Sequence, residues 1–168
     1  MVKVVGFPQQ VRRTVEPGQI IVAEIDTKTV FCLQGIHYAY VLIGHGRPPC
    51  RAWGGFDGPN GVLPGELQFR PLRDRPWAMS WRTSPRPGDL VIGERGTFLA
   101  VDEPNHPTLG KTVTTLIDPT TGTTPPGAIT GPVFQGWELV WFPLPNRPMV
   151  LGAFDPDARH LAAAAARG

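Results

Sequence analysis

Two cysteines in 168 residues, Cys32 and Cys50, are too few for a disulfide framework. Their scarcity favours a reducing compartment, with both as free thiols. Long apolar runs are missing as well. No stretch approaches the ~18 apolar residues of a membrane span, and Met1–Gln10 has no apolar core of signal-peptide length. The chain is therefore expected to be soluble, without a membrane partner, and not exported through a cleaved leader. Charge is sparse at 18% of residues, and sixteen Lys/Arg against fourteen Asp/Glu leave only +2. That balance does not by itself call for a nucleic-acid partner. Metal-ligand spacing is absent too: His37, His45, His106 and His160 stand far apart, with no His-x-x-x-His or Cys-x-x-Cys. Neither G-x-x-x-x-G-K-[ST] nor G-x-G-x-x-G occurs. Asp57–Gly61 lacks the alternating oxygen ligands of a calcium loop and reads as a turn. No cofactor, metal or small-molecule substrate is expected.

Glycine and proline are plentiful, twenty of each. Proline removes a backbone donor and glycine weakens helix interiors, so long helices have few places to sit. The length fits one domain. Gln19–Ile25 and Thr29–Leu33 are rich in Ile, Val, Thr and Phe and join at Asp26–Lys28, which predicts a hairpin. Residues 38–43 are apolar on both alternating faces and read as a strand covered on both sides. Leu90–Ile92 and Thr97–Asp102 flank a glycine-bounded turn at 93–96, and Thr112–Ile117 follows as a further strand. In Gly136–Phe142, Trp137, Leu139 and Trp141 share one face at period two. Met149–Phe154 is a short apolar run. Asp155 can cap and Pro156 suits a first turn, so one helix is predicted from Asp155 to Arg167. The fold class is mainly β: a small antiparallel β-barrel or sandwich over residues 1–154, with long Pro/Gly-rich loops or arms, and a short C-terminal helix or tail over 155–168.

Between Arg47 and Arg86 the strand pattern breaks down. The segment holds seven prolines, five glycines and three of the five tryptophans, and it is expected to be a long extended arm or loop. Arginine and tryptophan are common anchors of protein interfaces. Trp53, Arg70, Arg73, Arg75, Trp77, Trp81, Arg82 and Arg86 are therefore the candidate interface residues, with DNA contact by these arginines only incidental.

Two resemblances bear on function. Ala78-Met79-Ser80-Trp81, Gly88-Asp89-Leu90-Val91 and Lys111 before Thr112-Val113 resemble the self-cleaving repressor and signal-peptidase families, where a desolvated lysine activates a serine. Trp81 stands where those families carry Met, and the Ser80–Lys111 interval is short. Leu67–Leu72, Pro87–Ile92, Gly96–Val101 and Thr112–Ile117 together resemble the small β-barrel neck proteins of tailed bacteriophages, which close the head or connect it to the tail. That resemblance implies a non-enzymatic structural subunit with no catalytic residues. Its partners would be a homo-oligomeric ring and other virion proteins, and it would reside in the virion after assembly in the host cytoplasm. A capsid cement or tail subunit is the nearest alternative; from other classes come a serine–lysine hydrolase and a host β-barrel binding module.

Overall fold

The computed structural model describes residues 15–52, 57–78, 84–103 and 113–158. Strand dominates, as the β-branched runs predict. β1 (Ile20–Ile25) and β2 (Lys28–Gln34) form the expected hairpin. Its tip residues Asp26 and Thr27 both have positive φ, 49° and 64°, the geometry that keeps a two-residue turn in step with strand twist. β3 (Ala39–Ile43) follows β2 and is buried on both faces from Tyr40 onward. The segment from Arg47 to Arg86 then supplies β4 (Cys50–Arg51), β5 (Asp57–Val62), β6 (Glu66–Pro71) and β7 (Trp77–Ala78). β8 (Asp89–Gly93) and β9 (Gly96–Glu103) make a second hairpin, and β10 (Val113–Ile117) pairs with β9. β11 (Pro132–Gln135), β12 (Trp137–Leu144) and β13 (Arg147–Phe154) complete the order.

Ten of these strands join one sheet, ordered β5-β1-β2-β3-β4-β9-β8-β11-β7, with β10 on β9. β9 is its junction: it holds β8 over residues 96–99, β10 over 99–103, and β4 through the parallel bridge Cys50↔Asp102. That bridge makes the sheet mixed. The other three strands form a second sheet, β13-β12-β6, antiparallel throughout. Neither sheet closes into a barrel among the described residues. The main core lies between them: Ile20, Leu33, Leu42, Leu90, Leu99 and Ile117 from the large sheet meet Trp137, Leu139 and Phe154 from the small one. Alternation sends the intervening residues to the other face. There Ile21, Val30, Cys32 and Val41 form one satellite cluster, and Val91, Phe98 and Val133 form another.

The expected arm is corrected by this architecture. Described residues of 47–86 are tied to their own domain, β5 on β1, β6 on β12 and β7 on β11. Asp57–Gly61, read as a turn, lies in β5. The physical reason is edge position. Proline lacks a donor and is tolerated on an outer strand, and β5, which carries Pro59, and β6, which carries Pro71, both end their sheets. The predicted helix starts where expected. Helix α1 runs from Pro156 to Ala158 among the described residues, and Asp155 Oδ1 accepts the Asp157 N–H at 3.0 Å. The remainder of that predicted helix lies outside the described residues. No helix among them is long and apolar enough to cross a membrane.

One joint fastens the two sheets together. Gly88 sits in the turn before β8 with φ +98°, and its carbonyl accepts the buried Trp137 Nε1–H at 2.9 Å. The Phe154 ring lies directly over Gly88, where a side chain would otherwise stand. Trp137 also stacks against Phe69 edge-on, with ring centroids 4.9 Å apart, and against Phe154 at 5.9 Å. The Pro-Gly-Asp turn thus holds β8 of the large sheet against β12 and β13 of the small one.

Candidate assembly interface

The arginines expected to reach a partner are partly engaged inside the subunit. Arg70 on β6 donates from Nη1 to Glu138 Oε1 on β12 at 3.1 Å, directly across the ladder. Arg73 grips both carboxylate oxygens of Asp155, at 3.0 and 2.9 Å, and lies 3.4 Å from Asp157. That guanidinium holds the Asp155 carboxyl below its usual range. Arg75 is exposed. Arg86 donates its backbone N–H to Asp89 Oδ2 at 2.8 Å and, with Asp157, lines a cleft of about 420 Å³. Arg73 and Arg86 are thereby brought to the same neighbourhood at the start of α1. Trp77 is not an exposed anchor: it packs into the domain against Val91, Phe98 and Val133. Trp53, Trp81 and Arg82 lie outside the described residues, as do Ser80 and Lys111.

Asp89 is the one buried charged residue among those described, 4% exposed. Burial pushes its carboxyl up, while the Arg86 N–H opposes that shift. The Asp89 N–H in turn bonds Arg86 O at 2.9 Å. These reciprocal bonds close the turn that presents Gly88, so the role of Asp89 here is to shape that joint.

Chemically versatile side chains meet at one other place, around β4. Cys50 Sγ lies 3.5 Å from His45 Nε2, and Asp102 stands opposite Cys50 in the parallel bridge. Nearby, Arg51 covers the Tyr38 ring at 3.1 Å from its centroid, and Tyr40 OH donates to Glu103 Oε1 at 3.0 Å. Burial raises the Cys50 thiol and the Asp102 carboxylate raises it further. The sulfur therefore keeps its proton at neutral pH and is a poor nucleophile. Cys32 is pushed up to about 12 by burial. The two cysteines pair with Val41 from opposite sides, Cys32↔Val41↔Cys50, which leaves them two strand spacings apart, beyond disulfide reach. Both are free thiols. No group of three or more His, Cys, Asp or Glu among the described residues is arranged to hold a metal ion.

The surface that sequence reasoning missed is the tip of the β12–β13 hairpin. Arg147, Pro148, Met149 and Val150 are all exposed, so both faces of β13 meet solvent there. Leu144, Met149 and Val150 are 56, 49 and 57% exposed, three of the seven large apolar side chains left in water among the described residues. Isolated exposed apolar residues are ordinary; a run of them on one hairpin marks a contact surface. The available signal was Pro143, Pro145 and Pro148 flanking an apolar run, a pattern suited to an outer strand. No protein-family model, curated protein or solved structure matches this chain.

Proposed function

We propose that this chain is a non-enzymatic assembly subunit of a tailed-bacteriophage virion, placed in the neck where head and tail join. The observation that carries the reading is the arrangement of the segments bearing the resemblance. Residues 87–92, 96–101 and 113–117 fall on β8, β9 and β10, a contiguous antiparallel meander, and 67–72 contribute β6 on the facing sheet. A two-sheet body of this kind, with an apolar hairpin tip left uncovered, suits a subunit whose surface is completed by neighbours. The hydrogen-bonded side chains described above serve turns and sheet contacts, in keeping with a structural role.

Particle labelling tests this directly. A gold-tagged antibody against the chain, applied to tailed particles from a strain that carries the gene, should mark the junction of head and tail. Label over the whole head would favour a cement protein, and label along the tail a tail subunit. Absence of the chain from purified particles would refute the virion assignment.

A further inference from the structure

Cys50 and His45 face each other across the turn that leads into β4, with Cys50 Sγ 3.5 Å from His45 Nε2. A zinc-type ion held by both would lie about 2.3 Å from the sulfur and about 2.0–2.1 Å from the nitrogen. A tetrahedral angle between those two bonds sets sulfur and nitrogen about 3.6 Å apart. The pair already stands at that spacing. In the tautomer protonated at Nδ1, Nε2 presents its lone pair on the side of the thiol. A third group adjoins them. The Cys50↔Asp102 bridge puts the Asp102 side chain beside the thiol on the same face of the sheet. Asp102 Oδ1 is buried and accepts no hydrogen bond among the described residues. An unmet buried acceptor is costly, and a cation beside Cys50 would meet it. We propose that Cys50 and His45 bind one exchangeable divalent ion of the zinc type, with the Asp102 carboxylate beside them as its charge partner.

The backbone holds both donors in place. Gly44 and Gly46, at φ +104° and +75°, bracket His45. Gly44 is pressed against the Thr29 carbonyl, which leaves no room for a side chain there. On the other side, Pro49 O accepts the Asp102 N–H at 2.8 Å, and the Ala52 N–H bonds Ala39 O at 2.8 Å, so β4 is pinned between β3 and β9. His45, Cys50 and Asp102 are each half-buried, which leaves the site open to water and ions. An enclosed structural site takes four protein ligands, and no group of even three is arranged for one among the described residues. Water therefore fills the remaining positions, and the ion exchanges. Binding replaces the thiol proton, which leaves to water. The thiolate and the Asp102 carboxylate together then balance the two charges of the ion. Two cations lie nearby. Arg51 is turned onto the Tyr38 ring, and Arg47 is exposed, where water and salt screen it. The bound ion ties the turn before β4 to the parallel bridge of the large sheet, and it stabilises the folded chain by mass action.

The test uses cobalt(II) chloride as the probe, titrated into the full chain under reducing, chelator-free conditions. A cobalt–thiolate bond absorbs in the near ultraviolet, so that band should appear, saturate at one ion per chain and vanish when zinc chloride displaces the cobalt. Cys50→Ser should abolish the band, whereas Cys32→Ala, which keeps both proposed ligands, should leave it. His45→Gln should weaken binding roughly tenfold or more, and Asp102→Asn about tenfold, with circular dichroism confirming that each variant is folded. His45 lies in a turn outside any strand, so His45→Gln tests the site even where a variant in β4 fails to fold. Absence of the band in wild-type protein at excess cobalt overturns the proposal. So does a band that survives Cys50→Ser, or binding that His45→Gln leaves unchanged. The pair is then a thiol–imidazole hydrogen bond only. None of these outcomes bears on the virion reading, which particle labelling decides by itself.

Discussion

Replacing Gly88 by alanine isolates the joint between the two sheets. Two costs arise there. An L side chain at φ +98° is strained, by about 1–3 kcal/mol for a sparsely populated backbone region. The new Cβ would also overlap the ring of Phe154, which is 6% exposed and packed with Trp137. Overpacking of that kind costs about 1–3 kcal/mol. The turn cannot simply retreat, because the Gly88 carbonyl holds the Trp137 indole N–H at 2.9 Å. The expected loss is about 3–5 kcal/mol, a large part of the ~5–15 kcal/mol that stabilises a typical domain. With a urea slope of about 2 kcal/mol/M, the unfolding midpoint should fall by about 2 M. Gly46→Ala is the control. Gly46 also has positive φ, +75°, but a Cβ there would meet nothing within 4 Å, so only the strain should be felt. Urea unfolding of both variants, followed by far-ultraviolet circular dichroism, separates the two terms. If Gly88→Ala costs no more than Gly46→Ala, the packing of Phe154 on Gly88 does not fasten the sheets, and the account of the joint is wrong.

Trp77→Phe should change stability by less than about 1 kcal/mol, because the buried indole N–H of Trp77 has no partner among the described residues and its loss removes an unmet donor. Trp77→Ala should instead lower stability by about 3 kcal/mol in urea unfolding. A large loss of assembly with unchanged stability would restore Trp77 as an interface anchor. For Asp89, burial raises the folded-state pKa above the ordinary 3.8. The folded state then binds more protons than the unfolded one as pH climbs above that value, so this group makes stability fall with rising pH there. Asp89→Asn keeps an acceptor for the Arg86 N–H and should flatten that decline; an unchanged pH profile in thermal melts would refute the assignment. Cys32, raised to about 12, should resist a thiol-specific reagent in the folded protein at pH 8, with Cys50 reacting slowly, and both should react at once in denaturant. Fast labelling of Cys32 in the folded protein would contradict its burial.

Hairpins and core strands were legible because their signals are local. Asp26-Thr27-Lys28 and the glycine-bounded 93–96 turn sit between β-branched runs, and both hairpins form there. Trp137 and Leu139 at period two are fully buried as their spacing implies. The strands of 47–86 were hidden because they are short, punctuated and stabilised by distant partners. β6 owes its place to β12, about seventy residues later, and β5 pairs with β1 around an irregular register. Nothing in Asp57–Gly61 carries that information locally. The surroundings of the candidate interface residues were hidden for a related reason. Tryptophan and arginine mark buried anchors, but composition cannot say whether the anchor is buried by a partner or by its own chain. Trp77 turned inward to Val133, and Arg73 found Asp155 eighty-two residues on. Met149–Phe154 was legible only as a short apolar run, because its pairing partner β12 and the exposure of Arg147–Val150 at the hairpin tip are not written in the run itself.

Deleting the gene for this chain, with the resulting particles counted by electron microscopy, tests the proposed virion role most directly. A neck subunit predicts filled heads and separate, complete tails that fail to join, and addition of the purified chain should restore whole particles. Intact, infectious particles in its absence would contradict the account.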